Sequence, residues 1–386
     1  MPEAGECIVA STTPQTDTST ASPGWIWGPA GRDLQLARAI SDLTTGGYLG
    51  STRELLAAVR DLAEYDRRAY CTSVLAAVIV QRRLHVDEQW LTDEPKNPDA
   101  LLLHARVMAV RAIHAARAHK QNTPRLATQA AEACHGAALV AEGDPTPWVT
   151  LLSLGETNAP LPELRLTTDA PDMLQVSGPW PLVGEILCRD PLNREAMHRL
   201  IPRCSGLFTA AVWTPDSVPL ESTEEMDATA REQVAVWAAN RAPADSSLKL
   251  LRLMHTPDRD PFGDAAEDMR MSNYLLVHGE NSREQYLSDR LPAMRDRWHL
   301  ALRSDAIKLA KAWFENGAHP PYMPLSDVSF LAYFLHQVRE FILARWVLEW
   351  MIPHATADPW KRDGEPGAVL AKVCRDCHIP PSRLPR

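Results

Sequence analysis

Apolar side chains recur at intervals of three and four along most of this chain, the spacing that keeps them on one face of an α-helix. Leu55, Val59 and Leu62 form the first such stripe. It follows Ser51-Thr52-Arg53-Glu54, a capping box in which the serine hydroxyl takes a free amide and the glutamate reaches back. Residues 70–84, with Val74, Leu75, Val78 and Ile79, read as a second helix packed on the first. Trp25-Ile26-Trp27 is the first apolar anchor and is expected to pack over the first helix.

A start signal then returns four times. Asn97-Pro98-Asp99-Ala100 opens a run through Leu101 and Leu102, and Asp144-Pro145-Thr146-Pro147-Trp148 opens residues 149–154. Asp190-Pro191-Leu192-Asn193 opens residues 195–200, and Ala242-Pro243-Ala244-Asp245 opens residues 248–253. Pro98, Pro145, Pro191 and Pro243 lie 47, 46 and 52 residues apart. Asp or Asn caps free amides, and proline at the first helical position gives up no hydrogen bond. Second helices fall between the caps, one through Ala127, Ala130, Ala133, Ala137 and Ala138, another through Val234, Val236 and Trp237. Small residues in the former allow close helix contact. Recurrence of one cap at similar spacing points to one helix-turn-helix unit used repeatedly.

Asp190-Pro191-Leu192-Asn193-Arg194-Glu195-Ala196 also resembles the Asp-Pro-x-Asn-x-Glu-Ala start of tetratricopeptide helices. Gly143-Asp144-Pro145-Thr146-Pro147-Trp148 is similar to another start in that superfamily. Over residues 31–205 the chain resembles helical-repeat, tetratricopeptide-like proteins of actinobacteria. That resemblance implies stacked α-α hairpins and brings no catalytic residues. The unit here is longer than the roughly 34-residue tetratricopeptide.

Beyond residue 257 the pattern loosens. Residues 258–264 read as a turn-rich linker, followed by helical runs at 268–277, 283–315 and 325–351. The last carries Phe330, Leu331, Tyr333, Phe334, Leu335, Phe341, Ile342, Trp346, Val347 and Trp350, and reads as a core helix or helix pair. The expected fold class is all-α, a tetratricopeptide-like hairpin array closed by a C-terminal helical bundle. A Thr-, Ser- and Pro-rich mobile tail is expected at 1–23, the repeat domain at 24–256 and the C-terminal helical region at 264–386.

Composition narrows the function classes. With 386 residues, 45% of them hydrophobic and 23% charged, the chain can bury a core. A net charge of -9 disfavours sequence-independent nucleic-acid binding, which clustered Lys and Arg drive. No apolar run approaches the roughly 18 residues of a membrane span. Pro2, Glu3 and Glu6 stand where a signal peptide carries basic and apolar regions. Seven cysteines without regular spacing read as reduced thiols. The expectation is a cytoplasmic protein with no nucleic-acid or membrane partner.

Four features carry candidate chemistry. His104, Arg106, Arg111, His114, Arg117, His119 and Lys120 lie on one helix. There His104, Arg111, His114 and Arg117 offer a face for an anionic ligand or acidic partner, or else a solvated face opposite Leu103, Val107, Val110 and Ile113. Twelve tryptophans are many; Trp148, Trp180 and Trp237 are candidates for an aromatic groove, or for packing between helices. Cys374-Arg375-Asp376-Cys377-His378 spells the haem-attachment motif, but attachment normally follows export, and no second Cys-x-x-Cys completes a zinc site. Neither cofactor nor metal is expected. Acidic clusters at Asp258, Asp260, Asp264, Glu267 and Asp268, and at Glu224, Glu225 and Asp227, lack the helix and second site that magnesium-pyrophosphate chemistry needs.

Thr45-Gly46-Gly47-Tyr48-Leu49-Gly50 has no following Lys-Ser/Thr, so it is not a phosphate loop. Gly155 in Leu154-Gly155-Glu156, and Gly279 beside His278 and Glu280, read as helix stops. The sequence therefore points to a protein- or peptide-binding scaffold, with a small-molecule ligand also open. The alternative is an enzyme or enzyme accessory of peptide or secondary-metabolite biosynthesis, using an aromatic pocket between the repeats and the C-terminal helices.

Overall fold

The structure, a computed structural model, describes residues 25–206, 224–255, 302–315 and 322–384, and these are predominantly helical. It divides into two units, one holding residues 25–206 with a short segment at 354–356, the other holding the remaining described residues.

The first unit contains α1 (Leu34–Gly46), α2 (Gly50–Asp61), α3 (Tyr65–Gln81), α4 (Val86–Asp93), α5 (Pro98–Arg117), α6 (Thr123–Val140) and α7 (Thr146–Ser153). An irregular stretch of 3-10 turns leads to α8 (Trp180–Leu187) and α9 (Arg194–Leu200). Strand β1 (Ile26–Trp27) pairs in parallel with β4 (His354–Ala355), and β2 (Val176–Ser177) pairs antiparallel with β3 (Ser205–Gly206). Ile26 and Trp27 of the expected anchor thus form a strand, and Ile26 stays 53% exposed.

Several helix starts follow the sequence closely. Asn97 caps α5 by accepting from the Asp99 and Ala100 amides, with Pro98 in the first turn. Asp144 accepts from the Thr146 amide at the start of α7. At the third signal the helix begins later: Asp190 accepts from the Leu192 amide, Asn193 caps Ala196, and Pro191 lies in the preceding turn. At the fourth, Ser246 rather than Ala242-Pro243 caps the turn that leads into the next helix.

The predicted capping box does not form. Helix α2 starts at Gly50, and the Ser51 hydroxyl donates to Asp42 at 2.5 Å instead. Leu62 also leaves the predicted stripe, because α2 ends at Asp61 and the side chain stays 67% exposed.

Helices α5 and α6 pack along most of their length. The contact side of α6 carries buried Ala127, Ala130, Ala131, Cys134 and Ala137, small enough to admit Leu102, Leu103 and Val107 of α5 to the interior. Burial of each large aliphatic side chain contributes about 1.5–3 kcal/mol. A core of Leu36, Leu43, Leu55, Leu56, Val74, Leu75, Ile79, Trp90, Leu103 and Val107 joins α1 through α5.

Charges are buried inside this helical stack. Arg68 on α3 has no exposed surface and meets Asp99 at 2.8 Å, Asp144 at 2.6 Å and the Leu56 carbonyl at 2.9 Å. The carboxylates at two of the recurring starts therefore anchor on one arginine. Arg106 holds Glu195 of α9 through two 2.9 Å bonds.

The second unit contains α10 (Glu224–Arg241), α11 (Leu250–His255), α12 (302–314), α13 (Leu325–Gln337), α14 (Phe341–Met351) and α15 (Pro366–Asp376). Helices α10 and α11, expected with the repeats at 24–256, belong to this unit, where α10 packs on α11 and α11 meets α13. The apolar run at 325–351 is a helix pair, broken at Val338–Glu340, where Arg339 takes a left-handed φ of 61°. Trp313 and Trp360 are fully buried, and Trp313 donates to the Asp245 carbonyl. The predicted linker 258–264 and the runs at 268–277 and 283–301 lie outside the described residues. No helix among the described residues is long and apolar enough to cross a membrane.

Candidate partner-binding site

Helix α14 begins two residues after the left-handed Arg339. Leu343, Ala344, Val347, Leu348 and Met351 form its buried side. The opposite side carries Phe341, Ile342, Arg345, Trp346 and Glu349, and the end of α15 approaches it with Cys377 and His378. Together these seven residues line a recess of about 260 Å³. Ile342 is 72% exposed and Phe341 37% exposed, so the recess offers apolar surface to solvent. Trp346 is half-buried in its wall.

The sequence placed Phe341, Ile342 and Trp346 in the core. The break at 338–340 rotates the helical phase, and the true core stripe is the 343–344–347–348–351 set. A left-handed arginine carries no composition signal, so this surface was hidden in the sequence.

Electrostatics frame the recess. Arg345 donates from Nε to Glu349 Oε1 at 2.9 Å, and Arg383 approaches the same oxygen at 2.9 Å. Behind Phe341, the His336 ring packs edge-on at 5.6 Å and bonds Asp376 at 3.0 Å. Burial pushes the Cys377 thiol up to about 12, with Asp376 adding to the effect, so the sulfur facing the recess stays neutral. Cys374 is likewise pushed up to about 12 by burial and by the neighbouring Cys377.

The haem-like motif acquires a structural role. His378 has a φ of 55°, its amide bonds the Arg375 carbonyl, and the Ile379 amide bonds the Cys374 carbonyl. Cys374 to His378 is thus a helix terminator with a left-handed residue just past its end. Among the described residues, no three His, Cys, Asp or Glu side chains converge to hold a metal.

The basic helix is divided among acidic partners. His104 bonds the fully buried Asp87 at 2.9 Å, while Arg111 bonds Glu88 at 2.8 Å and lies 3.8 Å from Asp87. The Arg111 hydrogen bond, opposed by partial burial and aided by His85, holds Glu88 below the usual carboxylate range. Arg117 turns to Glu156, which also takes Arg199 at 2.5 Å. Partial burial and the nearby Arg117 push His114 below its ordinary value. The basic side chains are close in sequence, but α4 and the turn after α7 supply carboxylates that no helical-wheel reading could include.

The tryptophans do not share a site in one unit. Trp148 and Trp180 lie in the first and Trp237 in the second. Trp148 packs between the Arg189 guanidinium at 5.4 Å and the edge of His135 at 5.8 Å. Trp180 is buried and donates to the Val176 carbonyl, and Trp237 is buried beneath Arg241.

Other motifs resolve locally. Gly47 ends α1 at a φ of 67° as a left-handed stop. Gly155 is not the expected stop; Asn158 takes the left-handed turn at a φ of 53°, and Gly155 gives room to Arg203, whose Nε would lie 2.8 Å from an added Cβ. The acidic cluster at 258–268 and His278 with Glu280 lie outside the described residues, as do the side chains of Glu224 and Glu225. No family model, curated protein or solved structure matches the chain.

Proposed function

We propose that the chain is a cytoplasmic, tetratricopeptide-like helical-hairpin scaffold that binds a protein or peptide through the recess on its second unit. The recurring Asp/Asn-Pro starts and the packed α5–α6 pair support the hairpin reading. The observation that carries the binding reading is the α14 face itself, where Phe341 and Ile342 stay exposed beside Trp346 and a charged rim. Partner recognition characteristically combines such an apolar centre with a polar edge. The recess, at about 260 Å³, is smaller than the roughly 300–1,000 Å³ of small-molecule sites and suits one large side chain.

The test is recovery of bound proteins and small molecules from extract of the source organism, comparing the native chain with Ile342→Asp. Ile342 lies in the first turn of α14, where an added carboxylate favours the helix, so the variant is expected to fold. A stoichiometric protein partner that Ile342→Asp loses supports the reading. A partner that survives the substitution refutes the recess as its site. A retained metabolite without a protein partner replaces the scaffold with the enzyme reading.

A further inference from the structure

We infer that the partner's contacting segment is acidic: a large apolar side chain fills the recess, and carboxylates beside it pair with Arg345 and Arg383. This rests on the recess being the binding site.

Charge balance at the recess favours an acidic partner. Arg345 and Arg383 share a single carboxylate oxygen of Glu349, so the three groups together carry one net positive charge. Each arginine commits one nitrogen to that oxygen. No second carboxylate reaches either one among the described residues. Their side chains are 39% and 59% exposed, leaving guanidinium donors open to solvent. Asp376, beside Cys377, bonds His336 at 3.0 Å, and its charge offsets that of the exposed Arg375 next to it.

Three arginines of the first unit are more fully matched than this pair. Arg68 meets two carboxylates, Arg106 takes one through both terminal nitrogens, and Arg199 bridges Glu156 and Glu195. In a chain of net charge -9, the recess rim is thus a local excess of under-matched cation. A guanidinium with free paired donors suits a carboxylate geometrically, and the complementarity steers encounter as well as fixing register. The concave shape favours an inserted side chain over a flat lipid surface.

The experiment selects a randomised 12-residue phage-displayed peptide library on the full chain, with counter-selection on Ile342→Asp. Folding of each variant is checked by circular dichroism. Enriched peptides are expected to carry Leu, Phe or Trp with Asp or Glu within a few positions. A labelled consensus peptide should bind at least tenfold more weakly to Arg345→Gln/Arg383→Gln, and more weakly at 300 than at 50 mM salt. Ile342-dependent peptides with neutral or basic flanks, or acidic ones indifferent to the arginine pair, overturn the inference and leave the recess as a peptide site. No Ile342-dependent enrichment overturns both readings. So does loss, in Ile342→Asp, of binding to phosphatidylserine vesicles that the native chain binds in preference to every peptide.

Discussion

Replacement of Arg68 by methionine tests whether the buried charges organise the first unit. Arg68 is 0% exposed and contacts Asp99 and Asp144, whose side chains are 3% and 6% exposed. Methionine fills much of the same volume but removes the cation. Asp99 keeps Arg60 at 2.6 Å, whereas no other cation reaches Asp144 among the described residues. Removing one member of a buried pair costs about 3–5 kcal/mol, because the remaining charge is left without compensation in a low-dielectric interior. The surviving Arg60 pairing of Asp99 places the expected loss near the lower end of that range. Urea denaturation followed by circular dichroism measures it, and hydrogen exchange should locate the weakened amides in α3, α5 and α7. A second substitution, Asp144→Asn, keeps an oxygen for the Thr146 amide and removes the orphaned charge. Added to Arg68→Met, it should restore about 2 kcal/mol, much of the uncompensated-charge penalty. A loss below about 1 kcal/mol for Arg68→Met, or no recovery in the double variant, would refute the reasoning.

Two other predictions concern ionisation. Burial raises the Asp190 carboxyl, against the Asn193 and Leu192 hydrogen bonds that lower it. An acid raised in the folded state contributes stability below its unfolded value, and that contribution fades as pH rises through the folded value. Asp190→Asn should therefore stabilise the protein at pH 7 relative to the native chain, with the gain vanishing below the ordinary carboxylate range; a gain unchanged by acid would contradict the assignment. Cys374 and Cys377, at about 12 against an ordinary 9.0, should be alkylated by iodoacetamide at pH 8 at least about 100-fold more slowly folded than in urea, as thiolate fraction dictates. Site-resolved mass spectrometry reads this, and equal rates in the two states would show that the thiols are not buried.

Local chemistry explains what was legible. The helical spacing around Leu55 and Val59, the Asn97-Pro98 cap and the small contact residues of α6 act within a few turns, so their sequence neighbours suffice to predict them. Where a local rule met a tertiary competitor, the competitor prevailed. Ser51 gave its hydroxyl to Asp42 rather than to its own helix, and Gly155 made room for Arg203 while Asn158 took the turn. The same Cys-x-x-Cys-His spacing that suits haem also ends a helix when the histidine adopts a left-handed φ.

The sequence by itself determined a helical chain, a few of its helix starts and the identity of much of its core. Those features depend on backbone hydrogen bonding and on the period of the apolar residues, both written in contiguous positions. Only the tertiary structure decided which charges were matched and which apolar side chains stayed outside. Arg111 is matched by residues 23 or more positions away, Arg117 by Glu156, and Arg68 by two carboxylates drawn from separate helix starts. Phe341 and Ile342 are exposed because a single left-handed residue, Arg339, ends one helix and changes the phase of the next. Charge pairing and exposure depend on distances through space, and those are set only when the helices pack.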